Sequence, residues 1–258
     1  MNLLRTFAAI LTFALCFNPP GARSQSVDDI INKHIDALGG KDKLLSLKSV
    51  YQEGVAVMQN GMEIDSKVYK VDGKLYRNEI SFGMGNVVVI ITPTQGWSQN
   101  PRSGGNFEAM KPEQVKALQP QLDLSGPFVN YAAKGNKVEL AGKDTVNGKE
   151  CYKLKVTFPS GSDASYSIDE TTYYILRETR KGGGMGMGGG GGQGGGGGQG
   201  GGQRGNGQLI IEYSDYQKTP EGFIFPMTII AGNFNAKTSV EKLDINKPID
   251  DAKLSKPQ

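Results

Sequence analysis

The 258 residues are enough for one large all-β domain or two small ones, and their formal net charge is +3. Two of the positive charges, Arg5 and Arg23, lie in a predicted leader, so the mature chain is almost neutral. This near-neutral charge argues against nucleic acid as a partner, because nucleic-acid binding calls for a clustered basic face.

Few residues in this chain are suited to catalysis. His34 is the only histidine, and Cys151 is the only cysteine outside the leader, so schemes that need a second such residue are excluded. An acid pair such as Asp169 and Glu170 remains open, but neighbouring strand residues point to opposite faces and D-E-T-T is a natural turn. We expect no catalytic residues, no metal site, no cofactor and no enzymatic activity. Cys151 is either a reactive thiol or an inert, semi-buried one, and the second alternative is favoured.

Residues 1–24 have the pattern of a cleaved export signal. Arg5 gives a positive start, residues 7–17 form an apolar run too short to span a bilayer, and A-R-S at 22–24 suits a cleavage site. The alternative, a membrane anchor, is disfavoured because N-P-P-G at 18–21 ends the run. We therefore expect cleavage after Ser24 and an exported, periplasmic protein that does not span a membrane.

The first part of the mature chain predicts a helix followed by strands. Residues 26–38 have apolar side chains at helical spacing, between a Ser26–Asp29 capping box and a Gly-Gly pair, and 41–47 predicts one more turn. Strands are expected at 49–59, 62–71 and 74–82, separated by Asn-Gly and Asp-Gly pairs typical of hairpins. Residues 86–92 are almost wholly apolar, which predicts a strand covered on both faces. Trp97 then lies in a short strand or turn.

Two helices are expected in the middle of the chain, at 111–119 and 126–133. Strands at 138–146 and 150–158 then flank Asn147-Gly148, a pair that favours a type I′ turn. Apolar and polar residues alternate along the second of these strands, which indicates a sheet with one dry face and one wet face. Strands at 165–168 and 173–180 form a further pair.

Residues 182–207 are a low-complexity segment made mostly of glycine. We expect a disordered loop insertion, because the segment has neither the strand-to-helix context nor the ending of a phosphate-binding loop. Strands at 208–216, 223–230 and 237–245 complete the sheet, and Pro226 predicts an edge or a bulge. Residues 25–258 are thus predicted to form a single, mainly β domain of the α+β kind, built on an antiparallel meander.

Three stretches have a distinctive local pattern: G-K-D-T-V-N-G-K-E-C-Y-K-L-K-V at 142–156, Y-S-I-D-E-T-T-Y-Y-I-L-R at 166–177, and Y-S-D-Y-Q-K-T-P-E-G-F-I-F-P at 213–226. Together with the order of elements, they resemble the LolA-like outer-membrane lipoprotein-sorting and carrier proteins, over about residues 27–245. The resemblance implies a curved antiparallel half-barrel whose apolar concave face is covered by helices and receives acyl chains. The glycine-rich insertion departs from the family pattern, and no residue matches a defined lipid-gating position.

A carrier of acyl chains is the function that this resemblance implies. An acyl chain gains about 0.8 kcal/mol per buried methylene, so an apolar hollow can bind it without polar contacts. We expect a monomer that binds acyl chains of lipoproteins or other lipids for delivery to the outer membrane and touches membrane-associated donor or acceptor proteins transiently. The alternative is a periplasmic sensor or interaction module on the same fold. For any single residue of the predicted lining, a plain core position is the alternative interpretation. The predicted lining residues are Tyr76, Val88, Ile90, Trp97, Tyr152, Leu154, Val156, Tyr174, Leu176, Ile211, Phe225 and Met227.

Overall fold

The computed structural model describes residues 25–58, 61–83, 85–101, 104–181, 208–231 and 236–254. The predicted leader at 1–24 and the predicted loop insertion at 182–207 lie outside the described residues. The helices are α1 (Val27–Ala37), α2 (Lys41–Leu45), α3 (Pro112–Leu118), a 3₁₀ helix (Gln119–Leu122) and α4 (Asp251–Leu254). The strands are β1 (Ser49–Val57), β2 (Glu63–Val71), β3 (Leu75–Phe82), β4 (Gly85–Ile91), β5 (Gly96–Gln99), β6 (Phe107–Ala109), β7 (Lys137–Val146), β8 (Lys149–Thr157), β9 (Asp163–Asp169), β10 (Ile175–Lys181), β11 (Gln208–Lys218), β12 (Ile224–Ala231) and β13 (Ala236–Ile245).

All these strands belong to one antiparallel sheet that curves without closing. Strands β1–β6 form one meander and β7–β13 form another, and β1 pairs with β13, so that β6 and β7 are the two edges. The chain between these edges crosses back over the concave side, where side chains of α3 and of residues 122–131 pack against the sheet. The predicted half-barrel with helices over its concave face is confirmed.

The first helix begins and ends as its sequence predicts. The Ser26 hydroxyl accepts a hydrogen bond from the Asp29 N–H at 3.1 Å, and the Asp29 carboxylate accepts one from the Ser26 N–H at 3.2 Å. Gly39 and Gly40, with φ of 107° and 93°, end the helix in a conformation that glycine tolerates best. The apolar side of α1, represented by Ile30, is buried against the sheet.

The turns of the chain show where the local sequence signals are reliable and where they are not. Asn147 and Gly148 have φ of 50° and 79°, as the predicted hairpin requires. The predicted helix over 126–133 is wrong: this segment is a series of turns, because Gly126 and Asn130 have positive φ of 82° and 53°, which a helix does not allow.

Pro226 lies at a point where the sheet is locally incomplete. Strand β12 pairs with β13 only over residues 228–231, whereas it pairs with β11 from Ile224 onward. At Pro226 the described strand therefore has β11 on one side and no β13 partner on the other. A residue without a backbone N–H is tolerated there, and the predicted edge character of Pro226 is confirmed.

The pairing of β1 with β13 joins the two meanders and is sensitive to any side chain at Gly54. The register shifts between Glu53 and Gly54, and a Cβ atom at position 54 would overlap the backbone carbonyl oxygen of Ser239. We expect Gly54→Ala to lower the free energy of unfolding, measured by urea denaturation, by about 2–3 kcal/mol, because backbone atoms must move to relieve the clash. Gly83→Ala, where a Cβ meets no atom within 4 Å, is the control and should change stability little. Equal effects of the two substitutions would contradict this account.

Candidate functional site

One face of the sheet, here called the concave face, is turned toward α1 and the crossing chain. Val50 of β1 packs in the same apolar cluster as α1, so its side chain is on the concave face. Residues that pair across neighbouring strands lie on the same face, which assigns the other strands in turn. Because side chains alternate along a strand, every second residue lies on this side. Even-numbered residues of β1, β2 and β3 face it, as do odd-numbered residues of β4 and β12.

Two parts of the concave face are filled core. Under α1 and residues 128–129, Leu154 and Val156 of β8 are completely buried. Under α3 and the 3₁₀ helix, Tyr76 of β3 packs with Ile91 of β4. These two clusters attach the crossing chain to the sheet, and their apolar groups pack against one another.

The same face carries a further set of apolar side chains, here called the apolar row. They lie outside both packed clusters or only at the border of one. Each is half-buried, and Val68 also packs against the border of the cluster under α3. They come from strands of both meanders, because the β1–β13 pairing places β2 and β3 across the concavity from β11. The row consists of Val68, Ile80, Leu209, Ile211, Met227, Ile229 and Val240.

The structure brings seven of the predicted lining residues together on the concave face. Tyr76, Leu154 and Val156 are buried in the two packed clusters, whereas the others are half-buried. Two of those, Ile211 and Met227, are members of the apolar row. The seven are Tyr76, Tyr152, Leu154, Val156, Ile211, Phe225 and Met227.

The remaining five predicted lining residues lie on the opposite face. Val88 and Ile90 pack there with Trp97, because the pairing of β4 with β5 puts these three on one side. Leu176 packs against Cys151 in a small cluster beneath β7 and β8, and Tyr174 stacks on Tyr216 with ring centroids 4.4 Å apart. Strand β4 is apolar on both faces, so its composition alone does not indicate which residues face inward.

Sequence reasoning missed five members of the apolar row: Val68, Ile80, Leu209, Ile229 and Val240. A usable signal was present in β13, where half-buried residues on the concave side alternate with exposed polar neighbours. The row also needs the β1–β13 pairing, which joins residues almost two hundred positions apart and has no local signature.

The residues considered for chemistry have structural roles. Asp169 accepts hydrogen bonds from the backbone N–H groups of Thr171 and Thr172 at 2.7 and 3.2 Å, which fixes the turn that the sequence predicts. Glu170 forms an ion pair with Lys143 at 2.6 Å. Burial raises the pKa of the Cys151 thiol to about 11, so at neutral pH it is protonated and a poor nucleophile.

A separate cleft of about 470 Å³ lies at the β5–β6 edge, beside α3. Its walls include Trp97 and Met110, and part of its floor is Gly96, where a Cβ would approach Ile91 closely. The cleft is at the edge of the sheet, away from the apolar row.

Within the described residues, no group of three or more His, Cys, Asp or Glu side chains is placed to hold a metal ion. None of the described helices has the length and apolar character needed to cross a membrane.

No protein-family model matches this sequence, and no curated protein matches it. Among solved structures, a DUF1329 family protein from Desulfovibrio piger is similar over 90% of this chain and 98% of its own, with a TM-score of 0.53 and 14% identity. A LolA superfamily protein from Nitrosomonas europaea matches 90% of this chain and 99% of its own, with a TM-score of 0.48 and 11% identity. A putative outer-membrane lipoprotein-sorting protein domain from Vibrio parahaemolyticus matches 88% and 94%, with a TM-score of 0.47 and 8% identity. The structural neighbours of this chain are thus DUF1329 and LolA-superfamily proteins, and the likeness to the first of them shows the fold.

Proposed function

We propose that the chain is an exported, periplasmic carrier that binds the acyl chains of lipoproteins or other lipids on its concave face and delivers them to the outer membrane. The observation that carries this proposal is the apolar row, whose side chains lie on the concave face of the sheet beside two filled clusters and are only half-buried. Two structural neighbours, a putative outer-membrane lipoprotein-sorting domain and a LolA-superfamily protein, agree with such a role.

Burial of the cargo supplies the driving force for this function. Each methylene that leaves water for an apolar surface contributes about 0.8 kcal/mol, so a long acyl chain along the row gains several kcal/mol without any catalytic or polar group. Because both meanders contribute to the row, a bound chain would contact β2 and β3 on one side and β11 and β12 on the other. A carrier must also release its cargo. The row is only half-buried, so a bound acyl chain could leave it without unfolding of the sheet.

Binding of a fluorescent fatty acid tests this proposal with a matched pair of variants on one strand. Ile229 lies on the concave face, and its neighbour Ile230 points to the opposite face. We expect Ile229→Gln to weaken binding about tenfold, which corresponds to about 1.4 kcal/mol, and Ile230→Gln to leave it unchanged. We also expect lipid in organic extracts of protein purified from the periplasm of a host that expresses the full chain, detected by mass spectrometry.

Absence of extractable lipid together with absence of fatty-acid binding would overturn the proposal. Equal loss of binding in Ile229→Gln and Ile230→Gln would place the site away from the concave face. Capture of one defined protein partner by periplasmic crosslinking, with no lipid bound, would instead support a sensor or interaction module.

A further inference from the structure

The concave face contains a cluster of buried and half-buried charged side chains next to the apolar row. Lys70 of β2 and the pair Glu178 and Arg180 of β10 all face inward, from opposite sides of the half-barrel. Glu178 is only 8% exposed, and its carboxylate lies 3.6 Å from the Arg180 guanidinium. The Tyr213 hydroxyl donates a hydrogen bond to the same carboxylate at 3.0 Å. A carrier of purely apolar cargo has no need for charges at this position.

The cluster holds one positive charge in excess. Arg180 is compensated by Glu178, but no carboxylate of the described residues lies within 4 Å of the Lys70 ammonium group, which donates to the Gln121 side-chain oxygen at 3.3 Å. The Asp123 carboxylate also attracts the Lys70 ammonium group, but it forms an ion pair with Lys134 at 2.7 Å.

The partial burial of this ammonium group without a carboxylate partner is unfavourable. Desolvation lowers the pKa of Lys70 to about 8, opposed by Glu178 and Asp123, so the group is still mostly charged at neutral pH. An anion that reached Lys70 would remove part of this penalty, because a buried charge with a partner is far less unfavourable than one without.

Two neutral hydrogen-bond donors lie on the same face as the charged cluster. The Tyr76 and Tyr166 side chains are 5% and 6% exposed and lie on the concave face with Lys70 and Arg180. Burial raises the pKa of Tyr76 to about 12 and that of Tyr166 well above its usual value, so both hydroxyls keep their protons and can donate. The Lys70 ammonium lies 5.4 Å from the centre of the Tyr76 ring.

The strands connect this cluster directly to the apolar row. Along the concave side of β2, Lys70 is followed by Val68, and along β11, Tyr213 is followed by Ile211 and Leu209. A molecule with an anionic end and a long apolar tail therefore fits the order of side chains, with the charge at the cluster and the tail along the row.

We propose that Lys70, with Arg180 and the tyrosine hydroxyls, binds the carboxylate of a fatty acid whose acyl chain lies along the apolar row. This inference rests on the proposed carrier function and narrows its cargo. The single excess charge matches one monoanionic head group. The acyl groups of a lipoprotein are held by ester and amide bonds that carry no charge, so such a cargo would leave Lys70 unpaired.

The test compares a fluorescent fatty acid that has a free carboxylate with its neutral primary amide and with a lysophospholipid of the same chain length that carries one phosphodiester charge. The variants are Lys70→Met, which keeps an unbranched side chain of similar aliphatic length and removes the charge, and Glu178→Gln, which raises the excess charge from one to two. Lys67→Met is the control, because Lys67 lies on the same strand, faces outward and pairs with Glu53 at 3.1 Å.

We expect the wild-type protein to bind the acid at least tenfold more tightly than the amide. Lys70→Met should abolish this preference by weakening the binding of the acid, Glu178→Gln should increase it, and Lys67→Met should have no effect. Lys70→Met should also be at least as stable as the wild type in thermal unfolding, because it removes an unpaired buried charge.

Three results would overturn the inference. Equal wild-type affinity for acid and amide would remove the head-group site while leaving the carrier function intact. Tighter binding of the lysophospholipid than of the acid would reassign the site to a phosphate. Failure of the wild type to bind any of the three probes would overturn both the inference and the proposed function.

Discussion

Phe128→Ala is expected to lower the free energy of unfolding by about 3–5 kcal/mol, the range typical of a fully buried phenylalanine. The Phe128 ring is 2% exposed and makes edge contacts with the rings of His34 in α1 and Tyr166 in β9, with centroids 5.3 Å apart in both cases. It therefore ties three parts of the chain together: the first helix, the second meander and the segment that crosses the concave face. The movement of one of these elements alone would not fill a cavity at this point, because the ring is enclosed by all three.

The measurement is urea denaturation, followed by the fluorescence of the single tryptophan and by circular dichroism. Phe107→Ala is the matched control, since Phe107 is a half-buried phenylalanine at the β6 edge of the sheet and should contribute much less. If Phe128→Ala and Phe107→Ala reduced stability equally, the crossing segment would not be fastened to the sheet in the way described.

Local periodicity was sufficient to predict most of the sheet. The alternation in β8 and the positive-φ pair Asn147-Gly148 are short-range features, and they determine the strands whatever the rest of the chain does. The segment 126–133 behaved differently, because its conformation depends on Phe128 and Val129 entering a cluster with α1 and β9. Tertiary packing decided against the helix that composition favoured.

The candidate site was harder to predict than the fold, because facing is a property of register. In β4, residues 87–91 are all buried, so their polarity does not show which of them face the concave side. Val88 and Ile90 were predicted to face that side, but they face outward. The charged cluster presents the same difficulty at longer range. Nothing in the sequence near Lys70 indicates that Glu178, more than a hundred residues away, lies opposite it.

His34 is a second residue whose effect on stability follows from its burial. It is 4% exposed, its Nδ1 atom donates to the Tyr173 carbonyl oxygen at 2.7 Å, and its ring contacts Phe128. Burial lowers the pKa of His34 to about 4, against a weaker opposing effect of that hydrogen bond. The folded state therefore holds the imidazole in its neutral form, a packing role rather than a catalytic one.

This lowered pKa makes the stability of the protein depend on pH in a defined direction. The unfolded chain binds a proton at His34 below its ordinary pKa of about 6.5, whereas the folded chain does so only near 4. The contribution of His34 is fully present above pH 6.5 and is lost as the pH falls toward 4. Between pH 7 and pH 5 the loss amounts to about 2 kcal/mol.

Two measurements check the expected pH dependence. Since His34 is the only histidine, its ring proton resonances can be followed by NMR in the unmodified protein, and we expect a midpoint near pH 4. In urea denaturation, the stability difference between the wild type and His34→Asn, which keeps a donor near the Nδ1 position, should shrink by about 2 kcal/mol from pH 7 to pH 5. Carboxylates titrate equally in both proteins, so the comparison isolates the histidine. An NMR midpoint near 6.5 would mean that the imidazole reaches water, and α1 would then not pack on the crossing segment as described.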